Sequence, residues 1–139
     1  MNEPREVTYF TDRDLGRKLP ETLKAAGLAV VTHDDQFGPL TPDDEWLANV
    51  GANGWLAISR DARIRYSPLA LRVLMQTGAR LFVLVGNLTT AEGADLIISN
   101  RKQIESLAAN EAGAFIAKIR RDGVHLWVNE KDWKQRGGG

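Results

Sequence analysis

RLFVLV, residues 80–85, is the most continuously apolar run in the chain. A strand with one wet face alternates apolar and polar residues, whereas a strand of a parallel sheet, covered on both faces, reads as an unbroken apolar run. Working outward, WLAIS at 55–59, LAVVT at 28–32 and VTYFT at about 7–11 read as further strands. Helix-like stretches separate them, which is the pattern of a βαβ sheet. After the first strand, Leu15, Leu19 and Leu23 recur at spacing four as a single buried stripe. Pro20 interrupts that stripe, so the regular helix is expected to begin near it and to end at Gly27. Beyond the second strand HDDQF reads as a polar loop. Thr41 is a candidate N-cap with Pro42 at the first helical position, opening a helix that carries Trp46, Leu47 and Val50 and stops near Gly51–Gly54. RDARIRY, residues 60–66, reads as a loop, and Ser67–Pro68 opens a helix over Leu69–Gln76 with Gly78 as its stop. Gly86–Asn87 turns the chain into the longest helix, capped by Thr89 or Thr90 and running to Asn110. The end differs: AFIAKIRR and GVHLWV flank Asp122–Gly123, a short-range hairpin signal. The expected fold is α/β, a mainly parallel sheet covered by helices on both sides and closed by a hairpin at one end.

At 139 residues the chain fits one domain, with residues from about 129 to 139 as a polar, flexible tail. Hydrophobic residues make up 43% and charged residues 26%, which is ordinary for a globular protein and argues against disorder. Lys+Arg and Asp+Glu balance at 18 each, so any contact with nucleic acid must come from local segregation of charge. The chain has no cysteine, which excludes disulfides and thiolate metal sites. MNEPREVTYF lacks the basic and apolar regions of a leader, and no apolar run approaches the ~20 residues of a membrane span. A cytoplasmic protein without membrane contact is the simplest expectation. The three terminal glycines are expected to fray.

The chemistry-bearing residues are acidic and sit at strand ends. Asp12 follows the first strand, Asp61 follows the third, and Asp43, Asp44 and Glu45 fill the expected first turn of a helix. Ligands of open α/β sheets bind in the crevice outside the carboxyl ends of the strands, where such residues converge although distant in sequence. Crowded carboxylates repel one another unless a hard cation sits among them, which points to phosphodiester chemistry. Each acid also has a bland reading. Asp is common in turns, and acids in a first helical turn stabilise the macrodipole by about 0.3–1 kcal/mol each. Joint placement after two strands favours a site over coincidence. Asp14 reads equally as a ligand or as a helix cap.

Arginines crowd the same places: Arg13 and Arg17 after Asp12, and Arg60, Arg63 and Arg65 around Asp61. Guanidinium forks match phosphate oxygens, although charge compensation of nearby acids is an equal reading. His33 has no second His or Cys at ligand spacing, so a structural loop role is favoured, and His125 reads as a packing residue. Trp46, Trp55 and Trp127 read as core, whereas Trp133, in the polar tail, reads as an exposed anchor for a partner. GxGxxG, GxxxxGK[ST] and GxSxG are absent, which disfavours dinucleotide, P-loop and serine-hydrolase chemistry.

TYFTDRDLG, HDDQF, TPDDEWL, GWLAISRDARIRYSP and LFVLVGNLT together resemble the PIN-like domains of VapC-type toxins, ribonucleases of bacterial type II toxin–antitoxin systems. The resemblance runs from the first strand through Val128 and implies a three-layer α/β/α sandwich. It implies hydrolysis of RNA by water activated on Mg²⁺ or Mn²⁺. Asp12, Asp43 and Asp61 take the family's acidic positions as catalytic residues and metal ligands, with Asp14, Glu45 and Asn87 as further candidate ligands. Asn87 stands where many members carry a fourth acid. Arg13, Arg60 and Arg63 are implied to bind RNA, and the implied partner is a cognate antitoxin. The oligomeric state is open, a homodimer included. Two other readings are carried: a phosphoacceptor receiver domain, imitated by Asp12, Asp14, Asp61 and Thr89 but lacking a Lys-Pro after the last strand, and a catalytically inert PIN-like binding module.

Overall fold

Alternate side chains of a strand point to opposite faces of its sheet, and the apolar runs supply both faces. In the computed structural model, which describes residues 7–137, these runs become β1 (Thr8–Thr11), β2 (Ala29–Thr32), β3 (Leu56–Ser59) and β4 (Arg80–Leu84), followed by β5 (Phe115–Arg120) and β6 (Gly123–Asn129). Residues 1–6, from which the expectation of no leader is drawn, lie outside the described residues, as do Gly138 and Gly139 of the glycine tail. The sheet order is β2-β1-β3-β4-β5-β6, parallel throughout except for the antiparallel β5–β6 hairpin. Tyr9, Leu56, Ile58, Phe82, Leu84, Phe115, Ala117 and Ile119 face one core layer, and Phe10, Ala57, Leu81, Val83 and Ile116 face the other. Burying each large side chain contributes about 1.5–3 kcal/mol, so the central strands hold most of the stabilising surface.

Helices cover both faces. α1 (Lys18–Ala25), α5 (Thr90–Ser99) and α6 (Arg101–Asn110) pack Leu19, Leu23, Ala94, Ile97 and Ile104 on the first layer. α3 (Asp43–Asn53) and α4 (Pro68–Thr77) pack Trp46, Leu47, Val50, Leu74 and Met75 on the second. Two short helices, α2 (His33–Gln36) and α7 (Glu130–Gln135), and 3-10 turns at Arg13–Leu15 and Ala62–Tyr66 complete the described chain. The three-layer α/β/α arrangement agrees with the sequence reading. α3 and α4 approach so closely at Gly51 that a Cβ there would lie 2.6 Å from Thr77 Oγ1. No described helix is long and apolar enough to cross a membrane.

Several local expectations change. HDDQF is a helical turn rather than a loop, because Thr32 and Asp35 form a reciprocal capping box. α3 is capped one residue later than expected: Pro42 is its N-cap without a side-chain bond, and Thr41 caps nothing. RDARIRY winds into 3-10 geometry because the Asp61 carboxylate accepts from Arg63 N. The expected single helix over residues 89–110 breaks at Asn100, whose amide donates to Leu96 O at 2.8 Å and closes α5. The tail expected to be flexible forms α7, capped by Asn129 accepting from Asp132 N at 2.9 Å. Trp133 is half-buried against the second core layer rather than free. His125 is an exposed residue 2.8 Å from Asp122, not a packing residue.

Candidate active site

Because β2 and β3 flank β1 on opposite sides, the chain leaves β1 in one direction and returns on the other, and the crevice at the carboxyl ends of β1 and β3 is the topological switch point of the sheet. Pairing of β1 and β3 runs past the strand ends, with Asp12 N donating to Ile58 O at 3.0 Å. That bond places Asp12 beside Ser59, the last residue of β3 and wholly buried. Ser59 Oγ lies 2.9 Å from Asp12 Oδ2 and 3.2 Å from Asp14 Oδ2, and it accepts from Asp61 N at 2.9 Å. A hydroxyl has one proton, so the two carboxylates share it. Ser59 thus joins three acids from two strand ends, a role sequence reasoning missed. Ser at a strand end is common, and only the register shows what surrounds it.

Backbone amides complete the frame. Arg13 N donates to Asp12 Oδ1 at 2.7 Å, and Arg60 N donates to Asp14 Oδ2 at 2.9 Å. Asp14 is therefore a site residue bound to the β3 end as well as a member of the 3-10 turn that Asp12 caps. Much of Asp14 is exposed, but its carboxyl end is turned inward against Ser59 and Arg60. Burial, and then the Asp12 charge, push the Asp14 carboxyl up to about 6, against the lowering effect of its hydrogen bonds. Burial also raises Asp12, with Asp43 and Asp61 adding to the shift and the Ser59 and Arg13 bonds opposing it.

Asp43 enters from the first turn of α3, where Trp46 Nε1 donates to its Oδ1 at 3.0 Å. Asp61 closes the other side. Arg63 Nε and Nη2 donate to Asp61 Oδ1 and Oδ2 at 2.9 and 3.2 Å, and this fork holds the Asp61 carboxyl below the usual carboxylate range. Asp12, Asp14, Asp43 and Asp61 line one cleft of about 570 Å³ together with Arg13, Arg60, Arg63 and His33. Glu45 and Asn87, read as further ligands, do not line it. Glu45 lies two residues beyond Asp43, about 200° around the helix. Asn87 follows β4 on the side of Arg121, which donates to its carbonyl at 3.2 Å. Among the described residues no three His, Cys, Asp or Glu side chains stand in a ready-made ligand geometry for a metal ion. The described cleft gathers carboxylates without closing them around one point.

The basic residues differ in freedom. Arg63 has a side chain 91% exposed and, among the described residues, is tied to Asp61 alone. Arg13 donates to Pro39 O at 3.0 Å and pairs with Asp34 at 3.2 Å, which holds the loop before α3 as a cleft wall. Arg60 Nη2 donates to Leu88 O at 3.0 Å, so its guanidinium is tethered toward the start of α5. His33 is buried among Phe10, Phe37 and Trp46, and burial lowers its pKa below that of a free imidazole. It follows β2 as Asp12 follows β1. The strand-end rule applied to all three strands would have brought it to the cleft. The receiver reading loses Thr89, whose Oγ1 is committed to capping α5.

A family model described as a PIN like domain matches residues 7–86, more than half of the chain. Its span includes Asp12, Asp14, Asp43, Ser59 and Asp61. A curated relative from Mycobacterium tuberculosis, "Putative ribonuclease VapC45", is 35% identical over 78 residues, which cover 52% of this chain. The match spans 56% of that relative's length. No solved structure matches.

Proposed function

We propose that this chain, which belongs to the PIN-like domain family, is a divalent-metal-dependent endoribonuclease and the toxin of a type II toxin–antitoxin pair. The observation that carries the reading is the carboxylate group at the switch point: Asp12 and Asp14 sharing the Ser59 hydroxyl, with Asp43 and Asp61 on the same cleft. The ribonuclease in the relative's name supports the reaction class.

A metal fits the donor set. All four acids offer oxygen, the choice of hard cations such as Mg²⁺ or Mn²⁺. Burial and mutual repulsion raise the Asp12 and Asp14 carboxyls, so added positive charge relieves a cost already present. Asp12, Asp14, Asp43 and Asp61 would hold the ion, Asp61 after releasing Arg63. An ion pair whose arginine is 91% exposed is screened by solvent, so the release is a small step. When bound, the cation lowers the pKa of water and compensates charge on the phosphodiester oxygens.

The chain's own residues do the rest. Ser59 and the Arg13 and Arg60 amides fix the carboxylates, so they need no reordering when substrate arrives. Arg63, freed from Asp61, is placed to take a phosphate of the RNA by its fork. Arg13 and Arg60, tied to Pro39 O and Leu88 O, shape the walls and lend positive potential to a cleft otherwise lined by acids. A cytoplasmic endoribonuclease needs restraint, and an antitoxin that brings complementary charge to Arg63 and shields Asp61 would supply it.

Expression of the chain alone should arrest bacterial growth, and co-expression of the small protein encoded beside it should relieve the arrest. Asp12→Asn should be harmless at equal expression. Equal growth arrest by Asp12→Asn would overturn the assignment.

A further inference from the structure

A second concavity, of about 640 Å³, lies outside the carboxylate cleft, between the 3-10 helix Ala62–Tyr66, α4 and α7. Its floor includes Leu71 and Trp133, and its rim carries Arg65, Arg72 and Arg136 with Tyr66. Among the described residues none that lines it is acidic. In a chain whose charges balance, three arginines around an apolar floor are a local segregation of charge. Among the described residues none of the three forms an ion pair with a carboxylate, and the buried Arg65 Nε has no acceptor.

The aromatic residues give the groove a second property. Tyr66 is 71% exposed, unusual for a ring of its size, and stands edge-on to Trp127 with centroids 5.8 Å apart. The Arg65 guanidinium lies 5.4 Å from the Tyr66 centroid and 5.9 Å from that of Trp127, and Lys118 Nζ covers the Trp127 ring. Cations and rings thus alternate along one surface. A positively charged groove with aromatic faces is how proteins hold single strands without reading sequence: arginines meet the backbone, and rings stack on unpaired bases. The groove is also continuous in sequence with the cleft. Arg63, on the cleft, and Arg65 and Tyr66, on the groove, lie on the same 3-10 helix, where each residue advances only about 2 Å.

We propose that this groove is a single-stranded RNA subsite, in which an unpaired base stacks on Tyr66 and the phosphates beside it meet Arg65, Arg72 and Arg136 as the strand leaves the carboxylate cleft. The proposal rests on the ribonuclease reading for its ligand and adds the form of RNA that the protein takes. An acidic protein partner matches the charge but gives the exposed ring no stacking role.

The test measures binding of a fluorescent oligouridine of about ten nucleotides in EDTA, where a metal-dependent nuclease does not cut. Tyr66→Ala should weaken binding roughly five- to hundredfold, the range of base–aromatic stacking, without altering the salt dependence. Arg72→Ala should lower the slope of log affinity against log salt by about 0.7, one phosphate contact of a single strand. Both positions are exposed, and a circular dichroism spectrum equal to wild type establishes that the variants fold. Wild-type affinity in both Tyr66→Ala and Arg72→Ala would overturn the subsite, as would a wild-type protein that does not bind the probe. Unchanged RNA binding with lost capture of an acidic protein would assign the groove to that protein instead. Groove-dependent binding by a protein that cleaves no RNA under any metal would sink the nuclease reading and leave the subsite standing.

Discussion

Ser59 shows how much one buried hydroxyl can organise. Its removal leaves the Asp61 amide without its acceptor and takes from Asp12 and Asp14 the donor they share. Unmaking such bonds at a buried position costs about 1–3 kcal/mol, so Ser59→Ala should lower the urea midpoint without changing the slope. An unaltered midpoint would mean that the hydroxyl holds nothing. Asp14 carries a sign that can be checked. Its folded-state pKa, about 6, lies above the ordinary 3.8, so between those values the folded protein binds more protons than the unfolded chain. Its contribution to stability is therefore largest at low pH and is lost as pH rises through about 6. In EDTA, the stability difference between Asp14→Asn and wild type should grow in favour of the variant from pH 5 to pH 7. A difference independent of pH would mean that Asp14 is not perturbed. Asp12 and Asp61 were legible in the sequence because strand ends are legible and ligands gather there. Ser59 and His33 were not, since a buried Ser or His becomes a site residue only through neighbours that register and packing bring to it.

At the scale of elements, the apolar runs settled the strands because period-two burial on both faces leaves little else for Leu81–Leu84 to do. Helix ends were less legible, for they depend on single side-chain bonds. Thr41 has the composition of a cap but no bond to α3, and Asn100, unremarked in the sequence, breaks a helix by donating to Leu96 O. Gly51 reads in sequence as a stop signal and proves to be a contact between α3 and α4. A methyl group there would strike the Thr77 side chain and carbonyl. Gly51→Ala improves helix propensity by roughly 1 kcal/mol, but overpacking commonly costs about 1–3 kcal/mol, so the clash should win. The variant is expected to unfold at lower denaturant than wild type, and a gain in stability would show that α3 and α4 separate freely. The site depends on this contact, because α3 carries Asp43 and α4 begins directly after the 3-10 helix that Asp61 caps.

Across the whole molecule, the parallel sheet brings the ends of β1 and β3 together, α3 adds Asp43 as a fourth acid, and the β5–β6 hairpin with α7 builds a second surface beside them. Net charge is zero, yet acids concentrate in the cleft while three arginines, without a carboxylate partner among the described residues, rim the neighbouring groove. The composition of the cleft was legible from strand ends. The groove was not, because Arg136 is far in sequence from Arg65 and Arg72, and Trp133 read as part of a loose tail. The central claim is that the carboxylate cleft cuts RNA with the help of a divalent cation. Cleavage of RNA by purified wild-type protein and by Asp12→Asn, with Mg²⁺ or Mn²⁺ and then with EDTA, tests it most directly. The account predicts cleavage by wild type that needs the metal, returns when metal is restored after EDTA, and is abolished in a folded Asp12→Asn. Undiminished cleavage by Asp12→Asn, or by wild type in EDTA, would contradict it.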